Sequence, residues 1–217
     1  MDIIIIGAQG SGKGTQAGYL AEYLKVHHLS SGDMFRKAFE NHTALGIKAR
    51  EYIDRGELVP DNVTVDMVLE HIARPEYRAG VLLDGFPRTI AQSQALDKGL
   101  EALDRSVTFA IYLNVPREEL VHRLAGRYIC RAHQHVYNSE TNPPHVPGIC
   151  DLDGSELYQR SDDKGEAIQK RLDTFFSETI HLLDFYQQQG KLIEVNGNQG
   201  IELVREDMRK AIERFRH

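Results

Sequence analysis

Apolar positions along this chain fall into two rhythms. Asp2 to Ile6 is an unbroken β-branched run, the mark of a buried strand, while Thr15 to Lys25 carries Ala17, Leu20, Ala21 and Leu24 at helical spacing. Val81–Leu83, Val107–Leu113 and Leu192–Val195 read as further strands. Helical patterns lie near Val63–Ala73, Ile90–Leu100 and Pro116–Ala125. The longest predicted helix spans Gly165–Gln188, with Ile168, Leu172, Phe175, Phe176, Ile180, Leu183 and Tyr186 along one stripe. A last one occupies Ile201–Phe215.

Buried runs joined by helices imply right-handed βαβ crossovers and an α/β fold, a parallel sheet covered on both faces. Two stretches break the rhythm. Ser31–Val59 is helical in pattern, without a strand. Arg127–Arg160 is rich in Pro, Gly, Asn, His and Cys and is too long for a plain connection, so it is expected to act as a lid.

Composition narrows the function classes. Of 217 residues, 41% are apolar and 27% charged, enough for a sizeable core, and the formal net charge is −6. That balance argues against a nucleic-acid binder, which needs a basic surface. The cations that matter should be gathered in one cleft instead. The compact run Ile3–Ile6 is far shorter than the roughly 20 residues of a membrane span. The amino terminus runs straight into a strand, so neither signal peptide nor membrane association is expected. Two cysteines, Cys130 and Cys150, are too few for a disulfide scaffold, and a cytoplasmic location is the expectation.

Directly after the first strand comes Gly7-Ala8-Gln9-Gly10-Ser11-Gly12-Lys13-Gly14-Thr15, matching G-x-x-x-x-G-K ahead of a helix. Amide N–H groups of such a loop point inward as an anion nest at a helix N-terminus. Lys13 would reach the outer phosphates. Gly14 follows the lysine, so the hydroxyl comes one residue late, at Thr15. An Asn-Lys-x-Asp element for guanine is lacking, which disfavours a GTPase switch.

Two further motifs carry a resemblance. With Ser31-Gly32-Asp33-Met34-Phe35-Arg36 and Asp84-Gly85-Phe86-Pro87-Arg88 in order behind the loop, the sequence resembles the nucleoside monophosphate kinases, and its long insertion makes it similar to the long-lid adenylate kinases. The resemblance implies a P-loop NTPase-type parallel five-stranded sheet flanked by helices. It divides the chain into a core (1–30, 60–126, 161–217), an AMP-binding helical insertion (31–59) and a small lid (127–160). The implied reaction is ATP + AMP = 2 ADP with Mg2+, by a monomer.

Implied roles follow the motifs. Gly10, Ser11, Gly12, Lys13, Gly14 and Thr15 would cradle ATP, with Arg123, Arg127, Tyr137 and Gln199. Ser31, Arg36, Glu57, Val59, Gly85, Arg88 and Gln92 would hold AMP, and Arg160 and Arg171 would close over the transferring group beside Lys13, Arg88 and Arg123. Arginine suits this work because its planar fork pairs with phosphate oxygens two at a time. Asp84, ending a strand, would orient magnesium through water, with Asp33 as a second carboxylate or as a helix N-cap. Gln92 can donate and accept at once, matching adenine, and a packing role competes for Tyr137. Gln9 replaces a common Pro, and Asn196–Gln199 lacks a lysine often found there.

Within the lid, Cys130, His133, Cys150 and Asp153 form C-x2-H … C-x2-D, two hooks able to wrap a tetrahedral ion. Such donors suit zinc, with cobalt or ferrous iron competing. A metal-free polar network and a disulfide are the alternatives, and His135 is a competing ligand. Other readings are a UMP or CMP kinase, a slow P-loop switch, and a zinc-ribbon nucleic-acid binder.

Overall fold

A computed structural model describes residues 1–215. In chain order the elements are β1 (Asp2–Ile6), α1 (Lys13–Leu24), β2 (His27–Ser30), α2 (Ser31–Glu40), α3 (Ala44–Asp54), α4 (Asp61–Ile72), β3 (Val81–Asp84), α5 (Ile90–Glu101), β4 (Val107–Asn114) and α6 (Arg117–Ala125). The strands β5 (Arg127–Cys130), β6 (Val136–Asn138) and β7 (Leu157–Tyr158) follow. The chain closes with α7 (Gly165–Thr174), α8 (His181–Gln188), β8 (Leu192–Asn196) and α9 (Ile201–Phe215).

The central sheet has five parallel strands in the order β2-β3-β1-β4-β8. All five residues of β1 are buried, because the pleat sends alternate side chains into two different cores. Ile4 and Ile6 join Val68, Leu83, Leu96 and Leu172 on one face. Ile3 and Ile5 join Ala17, Leu20, Phe109 and Met208 on the other. This is why the run reads as continuously apolar rather than alternating. No helix among the described residues is long and apolar enough to cross a membrane.

Three features differ from the sequence reading. β2 was not predicted. It is an edge strand whose first two residues, His27 and His28, are exposed, so only Leu29 carries an apolar signal. The long helix Gly165–Gln188 is interrupted at Phe175–Thr179 by a wider π-type turn, dividing it into α7 and α8. The segment from Arg127 to Tyr158 is more than loop. It holds a small antiparallel sheet, β6-β5-β7, around Cys130, Tyr137, Cys150 and Leu157.

Phe35 of α2 and Ala49 of α3 share one apolar cluster with Val59 and with Met67 of α4. Ser30 caps α2 by accepting from the Asp33 amide at 3.2 Å, so the cap is Ser30 and Asp33 sits in the first turn. Gly46 lets α2 and α3 meet: a Cβ there would stand 2.2 Å from the Ala38 backbone.

Candidate functional site

A cleft of about 880 Å³ opens beyond the carboxyl ends of the strands, where open parallel sheets hold ligands. Its floor is the loop between β1 and α1. Gly10 and Gly12 there have φ of 86° and 92°, left-handed values that glycine reaches without strain. Gly12 is the N-cap of α1, so first-turn amides face the cleft. The Lys13 ammonium donates to the carbonyls of Gly7 at 2.5 Å and Ala8 at 2.9 Å. Burial, with the guanidiniums of Arg88, Arg127 and Arg171, lowers its pKa to about 8 against the pull of Asp84.

Asp84 ends β3 and stands over the loop; its Oδ2 lies 3.9 Å from where a Cβ on Gly14 would be. Burial would raise its pKa, but His28, whose Nε2 lies 3.5 Å from Oδ2, and Lys13 hold the carboxyl below the usual range. Asp33 is likewise held low against burial by its ion pair with Arg36. Ser31 Oγ donates to the Asp84 carbonyl at 3.4 Å, and Gly85, at φ 77°, keeps Ser31 and Arg88 close.

Arg36, Arg88, Arg123, Arg127, Arg160 and Arg171 all line this cleft, together with Lys13. Arg88 Nε donates to the Gly85 carbonyl at 2.7 Å, and burial and Arg171 lower its pKa to about 10. Arg123 donates to Glu119 at 2.7 Å and to the Gly197 carbonyl at 3.1 Å, bracing the loop after β8. Arg160 reaches Gln134 at 3.2 Å, with burial and Arg36 lowering its pKa to about 10. Arg127 and Arg171 converge on one carboxylate, Asp163, at 2.5 to 2.7 Å.

The remaining predicted residues fall in the same cleft with differing surroundings. Ser11, Gly14, Thr15, Ser31, Glu57, Val59, Gly85, Gln92 and Gln199 line it. Glu57 is paired with Arg55 at 3.0 Å and Lys170 at 2.7 Å. Gln199 donates to Asp207 at 2.6 Å. Tyr137 borders the cleft but is packed into the small lid core, its hydroxyl accepting from the Asp151 amide at 2.8 Å.

In the lid, the donor atoms of Cys130, His135, Cys150 and Asp153 lie within 4.8 Å of one another. The histidine differs from the spacing-based set. Gln134 takes a left-handed φ of 59°, reversing the chain so that His135 N donates to Cys130 Sγ at 3.2 Å. His135 Nδ1 then lies 3.4 Å from Cys130 Sγ, 3.3 Å from Cys150 Sγ and 3.2 Å from Asp153 Oδ2. His133 points outward, 68% exposed, and bonds Asp153 Oδ2 at 2.9 Å. Both cysteines are free thiols. Zinc bonds of 2.0 to 2.3 Å give tetrahedral edges of about 3.3 to 3.8 Å, so the His135 set is close to that size.

The family model described as adenylate kinase matches residues 5–191. The chain belongs to the adenylate kinase family. An adenylate kinase of Carboxydothermus hydrogenoformans is 46% identical over 214 residues, covering 99% of this chain and all of the relative. One of Listeria monocytogenes is 46% identical over 215 residues, and one of Staphylococcus aureus is 47% identical over 208, covering 96% of this chain and 97% of the relative. As a member of the adenylate kinase family the chain is a nucleotide-binding kinase, a transferase of phosphoryl groups.

Beyond the motifs, sequence reasoning passed over residues that hold the side chains of the adenylate kinase cleft in place. Asp162 and Asp163 anchor Arg171 and Arg127. An acidic pair between two arginines expected in one crowded cationic site was the available signal. His28 beside Asp84, and Asp61 beside Gln92, sit on no motif.

Proposed function

We propose that this chain transfers a phosphoryl group reversibly between MgATP and AMP, with Lys13, Arg88, Arg123, Arg160 and Arg171 stabilising the charge that spreads in transit. The observation that carries this is the gathering of one lysine and six arginines around a single cleft in a chain of net charge −6. Two polyanions can be brought in line only where their repulsion is offset and water is excluded.

ATP phosphates lie along the amides of Gly10–Thr15, with Lys13 turning from the Gly7 and Ala8 carbonyls to the outer phosphates. Arg123 and Arg127 hold the donor, near Gln199. AMP enters between α2, α3 and α5, its phosphate on Arg36 and Arg88 and its base near Ser31, Val59 and Gln92. No covalent nucleophile is required. Mg2+ would neutralise phosphate charge here, and Asp84 and Asp33, both held ionised, are the carboxylates able to hold it through water. Residues 31–59 and 127–160 act as the two closing pieces on the core.

The lid site is read as structural zinc on Cys130, Cys150, Asp153 and, by its placement, His135. Four protein donors make a closed site that stiffens the lid and leaves no open position for chemistry. The protein works as a cytoplasmic monomer.

Assay with MgATP against AMP, GMP, UMP and CMP tests the activity. AMP should be the preferred acceptor, yielding ADP. Faster turnover with a pyrimidine monophosphate, or hydrolysis without an acceptor, would overturn it. Elemental analysis after chelator-free purification should give about one zinc per chain, and stripping should lower Tm more than activity. Full stability without metal would refute the zinc.

A further inference from the structure

We propose that Asp61 sets base selectivity in the acceptor site by fixing which way round the Gln92 amide faces. The inference rests on the reading that Gln92 meets the acceptor base. Gln92 is buried where α5 begins and lines the cleft, while Asp61 stands behind it at the start of α4, outside that lining.

Two partners dictate the amide's orientation. The Arg88 backbone N–H donates to Gln92 Oε1 at 2.8 Å, and Gln92 Nε2 donates to Asp61 Oδ1 at 2.6 Å. A backbone N–H can only donate and a carboxylate can only accept, so a half-turn of the amide would set donor against donor and acceptor against acceptor. Asp61 is itself held: Thr89 Oγ1 donates to its Oδ2 at 2.8 Å while accepting from the Gln92 backbone N–H at 3.1 Å.

Each end of the amide keeps one capacity unspent, a second N–H on Nε2 and a second lone pair on Oε1. A 6-aminopurine offers a ring-nitrogen acceptor beside an amine donor and pairs with both. A 6-oxopurine offers the reverse, a ring N–H beside a carbonyl. An amide free to turn would serve either base equally, whereas a fixed one rejects the second. Asp61 is therefore a positioning residue, acting through Gln92 without touching substrate.

The test compares kcat/KM for AMP and IMP, with MgATP, in the wild type, Asp61→Asn, Asp61→Ala and Gln92→Ala, with Tm for each. An Asn can present oxygen or nitrogen to Gln92, so one of the two constraints loosens. The AMP-over-IMP ratio should fall about tenfold or more in both Asp61 variants. If Asp61 merely supports α4, both kcat/KM values fall by the same factor with Tm and the ratio stays put, which overturns the proposal. A wild-type ratio in Gln92→Ala would instead show that Gln92 does not meet the base, removing the reading beneath it. Should either Asp61 variant turn over too slowly, calorimetric binding of AMP and IMP reads the same ratio.

Discussion

Asp163→Asn isolates the carboxylate on which Arg127 and Arg171 converge. The Asp163 side chain has no exposed surface, and the two arginine side chains are only 16% and 12% exposed. An Asn keeps the shape, but its nitrogen faces a guanidinium N–H, donor against donor, and two buried cations lose their shared counter-charge. Breaking a buried pair by removing one partner costs about 3–5 kcal/mol. At about 2–4 °C per kcal/mol for a chain of this size, Tm should fall by roughly 10 °C. Urea unfolding against pH supplies the sharper readout. Burial would raise the Asp163 carboxyl, but Arg127 and Arg171 hold it below its ordinary range. A depressed carboxyl contributes fully above its unfolded value of about 3.9 and loses that contribution as pH falls through the lower folded value. The gap between wild type and Asp163→Asn should thus be full at pH 7 and close only below about pH 4. A gap under about 1 kcal/mol at pH 7, or one unchanged by acid, would refute the argument.

Lys13→Met should abolish phosphoryl transfer yet raise the Tm of the ligand-free protein by a few degrees, because a cation whose pKa is lowered to about 8 weakens the fold while charged; a lower Tm would count against it. Wild-type stability should correspondingly rise from about pH 8 towards the unfolded lysine value of about 10.4, where the unfolded chain binds the extra proton, and a clearly shallower rise between about pH 8 and pH 9 in Lys13→Met checks the assignment. Gly46→Ala forces a Cβ to 2.2 Å from the Ala38 backbone, so the α2–α3 pair must part; KM for AMP should rise several-fold, and unchanged kinetics and Tm would refute the close approach. Arg105→Ala removes the partner of buried Asp2, bonded through Nε at 3.0 Å, and should cost about 3 kcal/mol in urea without altering KM.

What could be read beforehand tracks how local each signal is. β1 and the phosphate loop were legible because burial on both faces and a strand–loop–helix motif need only about twenty consecutive residues. The arginines were legible by family resemblance, which named them singly without showing what holds them. Asp162 and Asp163 escaped because acids beside a lid read as solvated surface until Arg127 and Arg171 fold onto them. β2 escaped because an edge strand needs few apolar residues. That His135 and not His133 clusters with Cys130, Cys150 and Asp153 turns on a single left-handed residue, Gln134, which spacing cannot reveal.

These residues share an electrostatic arrangement that bears on how the site works. Lys13, Arg88 and Arg160 each have a lowered pKa, with burial the largest cause and neighbouring cations adding to it. Such a cluster is destabilising by itself, and local carboxylates relieve only part of it: Asp163 holds Arg127 and Arg171, Asp33 holds Arg36, and Asp84 faces Lys13. Among the described residues, Arg160 hydrogen-bonds the neutral Gln134 oxygen and no carboxylate. Bound phosphates would supply the missing negative charge to every member at once. Binding energy is then drawn from relieved repulsion as well as from new contacts, and it is greatest when both nucleotides are present. That couples occupancy of the two subsites through charge alone, without requiring contact between the two bases.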